Sequence, residues 1–221
     1  MTIVFRKQEN GEANSPLQEQ KQALYRYWKR SRLITEESVL EAFLAVPREL
    51  FVQPSLLDQT YADHPLPIGA GQTISQPTTV MLMLQLLEVE PGNSILEIGA
   101  GSGYNAALLA HLGGLVVTVE RHEKLAELAR DNLSKAGLKK VQVFSADGKK
   151  GYWEFAPYDR IIVTAASSKL PQHLKEQLAI GGILVAPVGA THGCEMLRIE
   201  KTAEEQFETS SHGLFSFVPL V

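Results

Sequence analysis

Cysteine is all but absent from this 221-residue chain: Cys194 stands alone, so no disulfide can form within it. The thiol has no Cys or His set around it and is read as inert. A reducing, cytoplasmic setting is the expectation. Positive charge is not in excess either. Lys and Arg total 21 against 25 Asp and Glu, a net −4. That argues against a general nucleic-acid binder, whose footprint is basic. No apolar run reaches the roughly 18 residues of a membrane span, and no membrane partner is expected. The polar opening MTIVFRKQENGEANSP lacks the apolar stretch of a signal peptide. No His, Cys and Asp residues have metal-ligand spacing, so no metal is expected. What is left, 44% hydrophobic and 21% charged, is an ordinary globular composition.

The chain is organised around NSILEIGAGSGY, Asn93 to Tyr104. Ser94 to Ile98 is a short, β-branched apolar run and reads as a buried parallel strand. Gly99, Gly101 and Gly103 follow, then an Ala/Leu-rich stretch, Asn105 to His111, that reads as a helix. Strand, glycine turn and helix together make a nucleotide-site candidate. Glycine lets a ligand lie against the backbone, and the helix start offers free amides. The same pattern also serves as a plain tight connection. Glu97, just before the glycines, is expected to face the pocket, where it suits a cationic ligand better than a pyrophosphate.

Ahead of this motif, Leu17 to Lys29 and Glu36 to Ala45 show helical apolar spacing. Thr35 is the expected N-cap of the second, with acidic residues in its first turn. Pro47 to Gln76 is long, proline- and glycine-punctuated and weakly periodic, the kind of segment that carries function. Thr78 to Leu87 reads as a buried helix entered through Pro77, its methionines as core filler.

Beyond the motif, strands are expected at Leu115 to Glu120, Val141 to Ser145, within Tyr158 to Ala165, and at Ile183 to Pro187. Helices are expected at Glu123 to Ala136 and at Pro171 to Leu178, the latter stopped by Gly181 and Gly182. Cys194 to Lys201 and Leu214 to Leu220 read as strands with no helix between them. The fold class that follows is α/β: a Rossmann-like, doubly wound, mostly parallel sheet with an antiparallel C-terminal strand pair and helices on both faces.

Ligands of such sheets sit outside the carboxyl ends of the strands. Those ends carry Glu97 to Gly99, Glu120, Asp147 with Gly148, and Thr164 with Ala165. Glu120 could accept two hydrogen bonds from a ribose diol, or be a strand-end surface acid. Asp147 could accept from an adenine amino group, or form an Asx turn. Nicotinamide dehydrogenases share these features up to a point. The acid before the glycines, the Asp-Gly pair and the antiparallel sheet ending favour a sulfonium cofactor.

LEIGAGSGY, Glu120, Asp147-Gly148 and APYDRIIVTAA resemble the S-adenosylmethionine site of class I methyltransferases. VPRELFV (Val46 to Val52), LPIGAGQTISQP (Leu66 to Pro77), GGILVAPVG and FVPLV resemble the protein-L-isoaspartate (D-aspartate) O-methyltransferase family. The likeness runs from about Glu36 to Val221. It implies methyl transfer from S-adenosylmethionine to the α-carboxylate of isoaspartyl and D-aspartyl residues in damaged proteins and peptides. The ester re-forms a succinimide, which can hydrolyse to normal aspartate. The resemblance makes Ser75 the catalytic residue, against its plain reading as a helix N-cap, and adds Thr73, Ile74 and Gln76 to the substrate site. It assigns the cofactor to Glu97, Gly99, Gly101, Ser102, Gly103, Glu120, Asp147, Gly148 and Thr164. Thr78, Ala100 and Ser216 depart from the family pattern, which has Tyr, Thr and Arg at those places.

The expected organisation is a mobile tail over 1–16 and one methyltransferase domain over 17–221. Within it, 17–92 form a helical flank and substrate-side loop, 93–190 the S-adenosylmethionine-binding core, and 191–221 the C-terminal strands. A monomer is expected.

Overall fold

The computed structural model describes residues 15–190 and 192–220. The expected mobile tail therefore lies outside the described residues as far as position 14. Ser15 and Pro16 are part of a helix start. The Ser15 hydroxyl accepts from the Gln18 amide at 3.3 Å, and Pro16 opens α1 (Pro16–Ser31). α2 (Glu37–Ala45) follows. Thr35 is not its cap: the Thr35 amide and hydroxyl both donate to Gln85 Oε1, at 2.7 and 3.2 Å. Gln85 lies fifty residues away, a contact that local spacing cannot reveal.

The segment 47–76 holds two 310 turns, Arg48–Phe51 and Pro54–Gln59, and then a small antiparallel hairpin. Its strands are β1 (Leu66–Gly69) and β2 (Gln72–Ile74). α3 (Pro77–Leu87) is apolar on nearly every side. Val80, Met81, Met83, Leu84 and Leu87 are all buried in the main core, as befits a helix packed all round.

The main sheet comprises β3 (Ser94–Ile98), β4 (Leu115–Glu120), β5 (Gln142–Ser145), β6 (Tyr158–Val163), β7 (Leu178–Val188), β8 (His192–Ala203) and β9 (Gln206–Ser216). Its order is β5-β4-β3-β6-β7-β8-β9. β3 to β7 are parallel, while β8 and β9 run antiparallel at one edge. α4 (Tyr104–His111), α5 (Glu123–Lys135) and α6 (Gln172–Glu176) connect the parallel strands. Alternation along the strands splits the apolar residues between two clusters. Ile95, Val116 and Ile162 join the large cluster with α2, α3 and α4; Leu96, Val117 and Ile161 join the smaller one. A strand covered on both faces has this two-residue period with apolar side chains at every step.

Two expected boundaries move. α6 ends at Glu176, and Gly181 with Gly182 lie inside β7 instead of stopping a helix. Tyr158 pairs with Leu178 and Arg160 with Ile183, so β7 loops out against a continuous β6. β9 begins at Gln206, giving a long hairpin with β8, and ends at Ser216. Residues 217–220 then leave the sheet. Leu220 donates to Ala166 O at 2.7 Å and Ala166 to Val218 O at 2.8 Å, drawing the tail over the end of β6.

Candidate active site

β3 pairs with β4 on one side and β6 on the other. This is the point where strand order reverses, and the crevice beyond it is where open α/β sheets hold ligands. A cleft of about 870 Å3, its open mouth included, occupies that place. The glycine loop, β2 with Ser75, and the ends of β4 and β6 all line it. Val218, Pro219 and Leu220 close the rim.

Loop conformation follows from local sequence and two tethers. Gly99 takes φ +97°, and a Cβ there would overlap the Thr164 hydroxyl. That hydroxyl donates to the carbonyls of Ile98 and Gly99 at 3.0 and 2.8 Å, so β6 holds the loop entrance. From the other side, Glu120 Oε2 accepts from the Gly101 amide and Oε1 from the His122 amide, each at 3.0 Å. Asn132 on α5 donates to Ser102 O at 3.0 Å. Glu120 is thus a nearly buried carboxylate built into the loop, with lone pairs left for a further donor, and not a surface acid.

Glu97 departs from expectation. It is fully buried and does not line the cleft. Its period-2 position on β3 turns it under the loop, where Asn105 Nδ2 donates at 2.8 Å and Thr118 Oγ1 at 2.5 Å. Burial pushes its carboxyl up to about 7, the two donors pull it down, and the Glu120 charge adds to the rise. Asn105, which does line the cleft, is what carries Glu97 to the ligand space.

Asp147 is corrected likewise. It is exposed and outside the cleft, and its Oδ1 accepts from the Lys149 amide at 3.1 Å, capping a short 310 turn. Gly148 beside it is buried and lines the cleft. Gly103, the N-cap residue of α4, and Gln76, the N-cap residue of α3, also stand outside the lining. The cleft does bring together Thr73, Ile74, Ser75, Gly99, Gly101, Ser102, Glu120, Gly148 and Thr164.

Ser75 is not the cap of α3. Asp63 does that work, its Oδ1 accepting from the Thr78 amide at 3.0 Å and its Oδ2 from the Thr78 hydroxyl at 2.7 Å. The Ser75 hydroxyl has no partner among the described residues, while its carbonyl accepts from Arg48 Nη2 at 2.8 Å. Among residues the sequence reading missed are Asn105, Arg121, His122 and the Val218 to Leu220 tail. Arg121 and His122 follow directly on Glu120 and could have been named from that. The tail's signal is the FVPLV motif, which carries the resemblance but gives no local pattern for its place; tertiary pairing with Ala166 brings it there. No group of three or more His, Cys, Asp or Glu suited to a metal occurs among the described residues.

Comparison with known proteins gives a consistent picture. Residues 19–221 match the family model described as Protein-L-isoaspartate(D-aspartate) O-methyltransferase. A Methanopyrus kandleri protein-L-isoaspartate O-methyltransferase is 50% identical over 192 residues, covering 85% of each chain. A Thermococcus sibiricus protein of the same name is 48% identical over 209 residues, 90% of this chain and 95% of its own. Among solved structures, a protein-L-isoaspartate O-methyltransferase superposes with a TM-score of 0.81 at 29% identity. The match covers 90% of this chain and 65% of that longer one. A Plasmodium falciparum structure, described as the same enzyme in complex with S-adenosyl-L-homocysteine, gives a TM-score of 0.80. At 23% identity, covering 95% of this chain and 99% of its own, it speaks for the fold.

Proposed function

The chain belongs to the protein-L-isoaspartate(D-aspartate) O-methyltransferase family, and from that premise we propose that its cleft joins S-adenosylmethionine to an isoaspartyl carboxylate across the gap between glycine loop and β2. The protein is an S-adenosylmethionine-dependent methyltransferase acting on isoaspartyl residues. What its own residues contribute is the content of the proposal. We assign the cofactor wall to Gly99, Gly101, Ser102, Glu120, Gly148 and Thr164, and the acceptor wall to Thr73, Ile74 and Ser75. Asn105 joins the cofactor wall and carries Glu97 behind it.

These residues fit the group. An open cleft at the switch point of the sheet, a glycine loop without side chains in the way, and a buried carboxylate with spare acceptor capacity suit a nucleoside with ribose hydroxyls. The cofactor supplies an electrophilic methyl on a sulfonium. The acceptor carboxylate is already an anion at neutral pH, since an α-carboxyl has a pKa of about 3.3–3.7. No general base is needed, and the cleft's residues offer a different service. Ser75 donates to the carboxylate without protonating it, the apolar Val80, Met83 and tail residues exclude water, and the two walls fix alignment. Alignment and dehydration are the main sources of rate when two opposite charges cancel in one step.

The observation that carries this reading is the Ser75 hydroxyl. Ser75 lines the same cleft as the glycine loop, and its hydroxyl makes no hydrogen bond among the described residues. We extend the proposal to one catalytic domain over 17–221, working as a cytoplasmic monomer without a nucleic-acid partner. The net charge of −4 supports the last point. Labelled methyl transfer to matched isoaspartyl and aspartyl peptides is the test. The expected result is transfer to the isoaspartyl peptide alone. Ser75→Ala should lower its rate roughly 10–1,000-fold, as loss of one positioned donor does. Its melting temperature and S-adenosylhomocysteine affinity should stay near wild type. Near-normal turnover in Ser75→Ala would move the acceptor site to Thr73 and backbone amides.

A further inference from the structure

Arg48 is one of the largest wholly buried side chains of the protein, and nothing said so far uses it. It opens the 310 turn Arg48–Phe51. No carboxylate lies within ion-pair distance of it among the described residues. Instead, Nε donates to Thr60 O at 2.9 Å and Nη2 to Ser75 O at 2.8 Å. Its guanidinium carbon stands 4.9 Å from the centroid of the Tyr104 ring. Nη1 and the Tyr104 hydroxyl are both buried and meet no well-formed hydrogen bond among the described residues, their one polar interaction being the loose contact between the Arg48 and Tyr104 side chains. Only the more distant Asp63 carboxylate offsets its charge, and a buried cation without a direct ion pair is a poor way to fill a core, where an apolar side chain of similar volume does better. Its neighbours explain its presence. Ser75 belongs to the acceptor wall, and Tyr104 is the first residue after the glycine loop and itself lines the cleft.

We propose that Arg48 is a positioning residue for methyl transfer, one planar group that fixes Ser75 against the cofactor loop and sets a positive charge, with no carboxylate in direct ion-pair contact, behind the acceptor carboxylate. The inference rests on the acceptor-site reading of Ser75. Lysine is no substitute for the first role, because it has no planar fork to hold two carbonyls while stacking on a ring. It can supply the second role. The two roles separate kinetically. Alignment of the reacting atoms governs the chemical step, and a shift of an ångström there is worth about a hundredfold. The charge favours the carboxylate before attack more than the neutral ester it becomes, so it acts on peptide binding.

Arg48→Lys, Arg48→Met and Ser75→Ala are to be compared in the full chain. Peptide KM and kcat, S-adenosylhomocysteine affinity by calorimetry, and thermal melting are the readouts. Arg48→Lys should lose kcat by about tenfold or more with peptide KM within about threefold of wild type. Arg48→Met should lose kcat and also raise peptide KM by about tenfold or more. Both should bind S-adenosylhomocysteine within about threefold of wild type. Wild-type kcat in Arg48→Lys, or wild-type peptide KM in Arg48→Met, overturns the inference. So does a parallel loss of cofactor affinity and peptide KM in either, which would mean general loosening. Should Arg48→Met not fold, Arg48→Gln takes its place with the same expectation. Unimpaired Ser75→Ala would overturn the acceptor-site reading on its own account. An impaired Ser75→Ala beside unimpaired Arg48 variants overturns only the role given to Arg48.

Discussion

Two glutamates on adjacent strands show how far environment divides one residue type. Glu120 ends β4 and ties its carboxylate to the Gly101 and His122 amides. Glu120→Ala should therefore weaken S-adenosylhomocysteine binding by roughly 1–3 kcal/mol, the range for charge-assisted hydrogen bonds left unmade. Calorimetry on the folded variant checks this, and unchanged affinity would remove Glu120 from the cofactor wall. Glu97 is a stability question. Its carboxyl sits at about 7 in the fold against 4.5 for an ordinary glutamate, chiefly through burial. A raised acid keeps its proton in the folded state after the unfolded chain has lost it. Its contribution is thus complete below about pH 4.5 and is lost as pH rises through about 7. The shift corresponds to on the order of 3 kcal/mol. Denaturant unfolding of wild type and Glu97→Gln at pH 4.5 and 7.5 should show the wild type losing that much relative to the variant. A pH-independent difference would place Glu97 at its ordinary value.

At the scale of elements, the start of α3 sets the acceptor wall. Trp28 on α1 donates to Thr78 Oγ1 at 2.8 Å, and Thr78 in turn binds Asp63. One threonine so fastens the N-terminal helix, the segment before β1 and the first turn of α3. Thr78→Val orphans the buried Trp28 N–H and one Asp63 oxygen, and should cost about 1–3 kcal/mol in urea unfolding. A loss under about 0.5 kcal/mol would mean the network is dispensable. The sequence pattern revealed β3, β4 and the α4 and α5 helices almost to the residue, because strand and helix periods differ sharply and glycines punctuate them. It misplaced what depends on partners far along the chain. Thr35 looked like a cap until Gln85 claimed it, and the Gly181-Gly182 pair looked like a helix stop because a bulge in β7 leaves no local signature. The site divides the same way. The loop, Glu120 and Thr164 are legible as strand ends, whereas the sequence leaves Asp147 open between an adenine contact and an Asx turn, and the structure shows the turn. The inward rotation of Glu97 follows from the period of β3, and could have been read from it.

Across the whole molecule, the sheet ends in β5 and β9, each paired on one side only among the described residues. β5 is only four residues long. β9 exposes Glu208, Thr209, Ser210, Ser211 and His212 and is broken by Gly213 at φ +101°, with the exposed Leu214 just beyond the break. Short or polar edges resist pairing with another copy. Sedimentation velocity at micromolar concentrations should accordingly give a single species near the chain mass of 24.3 kDa. A dimer that dissociates on placing Lys at Thr209 would locate an interface on β9.

The tail drawn over β6 gives the order of synthesis a meaning. The glycine loop, Glu120 and Ser75 are all made before β8 and β9, yet Val218, Pro219 and Leu220 close the rim of the same cleft. A nascent chain folds from its N-terminal side as it emerges. Until those three residues are clear of the ribosome, the parallel core can assemble while its reaction chamber stands open to water on one side. Synthesis thus lays down the glycine loop and the acceptor segment first, and the tail that lines the same cleft after them.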